Sequence, residues 1–182
     1  MVDLDYRGYW ERSFPWDAYM ADEVQTNRPL WEGVNRGVRV PGWAPERAAA
    51  AAGSWKLLVI SEDWCGDAAN TVPVIAALAA AAPTLEVRVI KRDEHPELMD
   101  AYLTGTARSI PLAILLDGEF RPRGRWGPRP AELQEFVLRE KSAGTREPAE
   151  IYRDVRSWYA RDRGETTLRE VLEVIEAAGP SR

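Results

Sequence analysis

The order of apolar runs along this chain predicts an α/β protein, with a mixed central sheet, flanking helices and helical extensions at both ends. Three observations carry that prediction. Residues 55–61 (WKLLVIS) form a β-branched and aliphatic run without alternation, as expected of a strand buried on both faces, and residues 85–91 (LEVRVIK) supply a second strand. Residues 66–82 between them read as a helix, and a right-handed crossover sets the two strands parallel. An Asp117-Gly118 pair splits the extended stretch 111–127, which signals a hairpin of two antiparallel strands.

The other elements follow from local signals. Residues 1–54 carry Tyr6, Tyr9, Trp10, Phe14, Trp16, Tyr19, Trp31 and Trp43, broken by Pro15, Pro29, Pro41 and Pro45. Short helices joined by turns are expected there, docked on the domain, because so many exposed aromatics would form an unusual apolar patch. Residues 45–53 (PERAAAAAG) open on proline and close on glycine, the start and stop of a helix. Pro73 interrupts the helix over 66–82. Residues 96–105 (PELMDAYLTG) read as a helix closed by glycine, and 129–141 (RPAELQEFVLREK) as an amphipathic helix after proline. From 147 two further helices are split by RDRG, with Ile151, Val155, Trp158 and Tyr159 at helical spacing for packing. The organisation expected is an N-terminal helical extension over 1–54, a central domain over 55–141 and a C-terminal helical extension over 142–182.

Composition narrows the function classes. Of 182 residues, 45% are hydrophobic and 29% charged, and no apolar run approaches the roughly 20 residues of a membrane span. The opening MVDLDYRGYW is acidic and aromatic, unlike a secretory signal, so a cytoplasmic location is expected. A single cysteine excludes an internal disulfide framework and four-cysteine metal sites, and a single histidine, His95, removes the usual nitrogen ligands of zinc. Neither metal nor cofactor is expected. The net charge of −5 argues against a nucleic-acid partner. Arg121, Arg123, Arg125 and Arg129, interleaved with Pro and Gly, read as a solvated hairpin and loop. His95, between Glu94 and Pro96, reads as a solvated surface residue.

The lone cysteine lies in EDWCGDAAN, residues 62–70, at the junction of the first strand and its helix. A thiol there faces the unpaired N–H groups and positive dipole end of the helix, which stabilise a thiolate and lower the pKa from about 8.5. Glu62, Asp63 and Asp67 oppose this, since nearby anions disfavour the thiolate. The expectation is a modestly lowered pKa, lowered further if Arg108 reaches the site. Trp126 reads as core, anchoring the last helix.

WCGDA resembles the WCGPC of thioredoxins. Pro73 stands where that family kinks its active-site helix, RSIP (108–111) resembles its cis-proline segment, and RDEHPELMDAY (92–102) resembles the start of its second helix. The likeness covers roughly 55–140. More narrowly, SEDWCGDAANTVPVIAALA, RSIP, WGPRP and WYARDRGETTLREVL resemble a group of bacterial cytosolic thioredoxin-family proteins, some with alanine in place of the second cysteine. The resemblance implies a thioredoxin-like fold, Cys65 as nucleophile, and a cis bond before Pro111 close to Cys65. It also implies a substrate groove bordered by Trp64, Gly66, Asp67, Ile110 and Pro111, with the Ile110 backbone free to pair with an extended peptide.

Three departures from the thioredoxin pattern agree with one another. Ala68 stands where the resolving cysteine would be, Val59 replaces the buried aspartate six residues before the first cysteine, and Val89 replaces its lysine partner. Together they describe a withdrawal from dithiol chemistry. A monothiol oxidoreductase is therefore expected, forming mixed disulfides through Cys65 with a protein or a low-molecular-weight thiol. The alternative is a non-catalytic thioredoxin-fold module that binds extended peptides. A thiol peroxidase fits poorly, because Glu62 stands where those enzymes carry threonine, and too little chain follows position 140 for a glutathione transferase.

Overall fold

The computed structural model describes residues 4–179; the outermost three residues of each expected extension lie outside it. Five strands form one sheet in the order β1-β3-β2-β4-β5. Strand β2 (Trp55–Ser61) is central, parallel to β3 (Leu85–Lys91) and antiparallel to β4 (Leu112–Leu116), which pairs antiparallel with β5 (Pro122–Trp126). The unbroken apolar run of β2 matches its setting: Leu57 to Ser61 are at most 2% exposed, covered on both faces.

Strand β1 (Phe14–Pro15) adds an edge to the sheet, antiparallel to β3 through Phe14 and Val89. Only helices and turns were expected before residue 55. A proline is compatible with this place, since an edge strand has one side free of ladder bonds. Around it lie α1 (Tyr6–Arg12), α2 (Trp16–Ala18) running into a π-helical turn (Tyr19–Glu23), α3 (Arg28–Gly37) and α4 (Trp43–Ala50). Their aromatics dock on the domain: Tyr9, Trp10, Tyr19 and Trp31 belong to the same hydrophobic core as the strands.

Helix α5 (Gly66–Ala81) carries Pro73 within it and packs between the sheet and α3. Helix α6 (Pro96–Asp100) is shorter than the expected 96–105. Thr104 and Ala107 exchange two backbone hydrogen bonds of 2.9 and 3.0 Å, and this tight turn across Gly105 competes successfully with further helix. The hairpin also differs in detail. Its loop spans residues 117–121 instead of a two-residue Asp-Gly turn, and Phe120, not Gly118, takes the left-handed conformation at φ 65°. Phe120 is held there by Trp10 against its ring and by the Arg7 and Lys56 cations over it.

Three helices complete the chain: α7 (Ala131–Ala143), α8 (Pro148–Asp162), whose start is closed by a reciprocal Glu147–Glu150 capping box, and α9 (Glu165–Ala177). Leu168, Val171, Leu172 and Ile175 of α9 enter the main core, while Val155 and Tyr159 of α8 pack with Leu133 and Val137 of α7. Trp126 is buried, and its indole N–H donates to Glu170 on α9 at 2.7 Å.

Candidate functional site

Cys65 is the N-cap of α5, in extended backbone at φ −82° and ψ 115°. Its Sγ accepts the Ala68 N–H at 3.5 Å, and its thiol donates to the Ile110 carbonyl at 3.4 Å. The strand-to-helix junction thus brings together two sequence-predicted segments 45 residues apart. The Ile110–Pro111 peptide bond is cis, as is Gly127–Pro128. The two turns stack closely: Gly127 has φ 119°, and a Cβ there would sit 2.3 Å from the Pro111 carbonyl oxygen, so only glycine fits.

That stacking delivers Arg129 to the start of α5. Its guanidinium pairs with the Asp67 carboxylate, and both side chains are almost wholly buried, 12% and 9% exposed. Arg129 also donates to Gln134 at 2.8 Å, and the Tyr159 hydroxyl donates to Asp67 Oδ1 at 3.0 Å. The turn before α7 and helix α8 thereby close on the residue two past the cysteine. Arg129 is not part of a solvated loop, because the buried carboxylate needs a counter-charge. Nor does Arg108 reach the site. It makes a two-bond pair with Asp100, both bonds 2.7 Å, on an exposed surface.

The other acids beside Cys65 are tied down. Asp63 accepts the backbone N–H groups of Gln25 and Thr26, which outweigh burial and lower its pKa. Glu62 accepts the Asp93 N–H at 2.8 Å, yet burial raises its pKa. The thiol itself departs from expectation: burial is the strongest influence and raises the Cys65 pKa. The Ala68 and Asp67 N–H groups and the Arg129 charge pull the other way, but removing the thiol from water outweighs them, with the Asp67 charge adding to the rise. Beneath the site Val59 and Val89 are paired across β2 and β3 and fully buried, so this part of the sheet offers no acid or cation to the helix start.

Trp64 stands out from the surface, 44% exposed, with the Arg92 guanidinium 4.7 Å from its ring centroid. Arg92 also donates to the Arg108 carbonyl at 3.1 Å, which ties the tryptophan to the segment leading into Pro111. Asn27 donates to the Trp64 carbonyl. Gly66 is exposed, with open space where a side chain would project. His95 is packed instead of solvated: its side chain is 17% exposed and meets the Tyr9 ring edge-on at 5.7 Å. Sequence reasoning missed the parts that Arg129, Tyr159, Arg92 and Asn27 play at the site; the WGPRP, WYARDRG and RDEHPELMDAY stretches were the local signals near the first three.

This fold and site define a thioredoxin-like α/β protein. Residues 13–147 match the family model described as Thioredoxin, and the chain belongs to that thioredoxin family. The match begins just before β1 and ends between α7 and α8. Two solved structures share the fold. A protein of unknown function from Pseudomonas aeruginosa, PA1234, is 21% identical, with 97% of this chain and 100% of that chain covered and a TM-score of 0.77. An HIV epitope-scaffold of the 4E10 type is 20% identical, with coverage of 95% and 98% and a TM-score of 0.73. A search of curated proteins finds no match. Among the described residues no helix is long and apolar enough to cross a membrane.

Proposed function

We propose that this protein is a monothiol thioredoxin-like oxidoreductase that forms mixed disulfides through Cys65. The observation that carries the reading is the Sγ position, at the start of α5 against the Ala68 N–H and beside the Ile110–Pro111 turn. In the forward step the Cys65 thiolate attacks one sulfur of a protein or low-molecular-weight disulfide. The Cys65–S bond forms, the substrate S–S bond breaks, and the second sulfur leaves as a thiolate that takes up a proton from water. Ala68 supplies no second thiol, so an external thiol attacks the mixed disulfide, leaves with the bound sulfur as a new disulfide, and restores Cys65. Such a cycle suits a compartment that supplies reduced thiols, such as the cytoplasm.

The raised pKa slows the first step without abolishing it. Each unit of rise cuts the thiolate fraction about tenfold but raises its intrinsic nucleophilicity about threefold, leaving about a threefold loss. Trp64, Gly66 and Asp67 on one side and Ile110 and Pro111 on the other border the place where the substrate sulfur would arrive.

A second reading, a module that holds extended peptides without reacting, is favoured by the same burial of Cys65 together with the exposed Trp64 ring. Intact-mass measurement of native protein after exposure to glutathione disulfide separates the two. The monothiol reading predicts a 1:1 adduct removed by added thiol and no catalytic reduction of insulin. A native protein that stays unmodified, and reacts only when denatured, supports the binding module instead.

A further inference from the structure

Away from Cys65, a cavity of about 530 Å³ lies between α3, α5 and the turn joining α8 to α9. A second, of about 230 Å³, runs toward Gly66 and Asp67. Leu30, Asn70, Arg156 and Tyr159 line both, so the two form one groove along α5. Its combined size falls within the range of small-molecule sites. The wall is apolar, built from Leu30, Val34, Val38, Val74 and the Tyr159 ring. Leu30 and Tyr152 are two of the few large apolar side chains that the core leaves uncovered.

Helix α3 contributes Gly33 and Gly37 to this wall, one turn apart. Neither has the left-handed backbone that calls for glycine, and a side chain at either would meet nothing within 4 Å. Glycine is among the poorest helix formers, so neither backbone conformation nor close packing accounts for the pair. Their effect is to leave the groove open. On the opposite wall, Arg156 lies on α8 and Arg163 just past its end, in left-handed backbone at φ 54°, and both line the cavity. Among the described residues neither guanidinium has an ion-pair or hydrogen-bond partner. The acids nearby are engaged: Glu32 of α3 with Arg28 and Arg36, and Asp67 with Arg129 and Tyr159.

We propose that this groove binds a small amphipathic carboxylate. Its hydrocarbon body lies against Leu30, Val34, Val38 and Val74 in the space left by Gly33 and Gly37, and its carboxylate meets Arg156 and Arg163. The apolar wall and the two unpartnered guanidinium groups are complementary to the two ends of such a molecule and to neither a neutral lipid nor a bare anion.

The test is calorimetric titration of the full chain with decanoate, with decanol and inorganic phosphate as comparators. Decanoate is expected to bind at least about tenfold more tightly than either. The double variant R156Q/R163Q should weaken decanoate about tenfold and leave decanol unchanged. Gly33→Leu, which fills the groove with a better helix former, should abolish decanoate binding without lowering the Tm. Cys65→Ala should leave the affinity within about twofold, which keeps the groove separate from chemistry at the thiol. Equal binding of decanol and decanoate, phosphate binding as tight as decanoate, or unchanged binding in R156Q/R163Q overturns the proposal. The arginine variant decides the matter even if Gly33→Leu disturbs α3.

Discussion

Two buried aspartates, Asp67 and Asp117, are each held by arginine, and they serve the molecule differently. Asp117 closes the β4–β5 loop with partners from its own loop and strand. Its carboxylate accepts the N–H groups of Glu119 and Arg121 and the Arg121 guanidinium, at 2.9 to 3.0 Å. Asp67 is held by partners distant in the chain, Arg129 beyond the second cis-proline turn and Tyr159 on α8. One arrangement is local and shapes a turn. The other joins three separate elements beside a thiol, tying α8 and the turn before α7 to the start of α5.

The largest expected effect tests whether Asp67 depends on its distant partner. Arg129→Ala leaves a buried carboxylate without a counter-charge, at a cost of about 3 kcal/mol. For a chain of this size that lowers the Tm by about 10 °C, measurable by calorimetry, and Cys65 alkylation should slow because a cation near the thiol is lost. A stable Arg129→Ala protein would mean that the pair is as solvated as a surface bridge.

The local carboxylate gives the next effect. Burial alone would raise the Asp117 pKa, but the Arg121 N–H and guanidinium and the Glu119 N–H outweigh it and hold the carboxyl below its ordinary range. A lowered folded pKa contributes stability above the unfolded value and loses it as pH falls through the folded one. Asp117→Asn should therefore cost about 2 kcal/mol at pH 7, with no change in thiol reactivity. The gap from wild type, followed by urea unfolding, should close as pH falls below about 4.

Two smaller changes sharpen the contrast. Tyr159→Phe removes one charge-assisted hydrogen bond to Asp67, about 1.5 kcal/mol by urea unfolding. Asp67→Asn keeps hydrogen-bonding capacity for Tyr159 and Arg129 but removes the negative charge that raises the Cys65 pKa. Its iodoacetamide rate at pH 7.5 should rise about threefold, whereas Asp117→Asn should leave that rate unchanged.

The same contrast separates what was legible in the sequence from what was not. Strands 55–61 and 85–91, the helix after Cys65 and the C-terminal helices are legible because a buried strand leaves a short β-branched and aliphatic run, and a helix buried on one stripe leaves a periodic trace. Strand β1 is two residues, Phe14 and Pro15, too short for any period, and its pairing with β3 is decided by docking of the aromatic segment. Placement of Cys65 against Ile110 and Pro111 followed from a resemblance to a family. The expected thiol pKa failed because helix start and neighbouring acids are local features, whereas burial belongs to the folded whole. Arg108 and Arg129 are alike in sequence, each beside a proline-containing turn. Only the stacking of Gly127 on Pro111 brings Arg129 inward, and the salt bridge to Asp100 keeps Arg108 outside.

The central claim, a reactive thiol with no partner to resolve it, is tested most directly by counting thiolate released from 5,5′-dithiobis(2-nitrobenzoic acid). Attack by Cys65 releases one equivalent and leaves the other aryl thiol bound as a mixed disulfide. With no added thiol, wild-type protein should stop at that one equivalent. Ala68→Cys places a thiol one turn along the helix, about 5 to 6 Å away between Cα atoms and within reach of a disulfide. It should attack the mixed disulfide, close a bond to Cys65 and release the second equivalent. Its release should be slow, because Val59 offers no proton acceptor below it. A wild-type protein that releases both equivalents unaided, or one whose folded form releases none, would contradict the account.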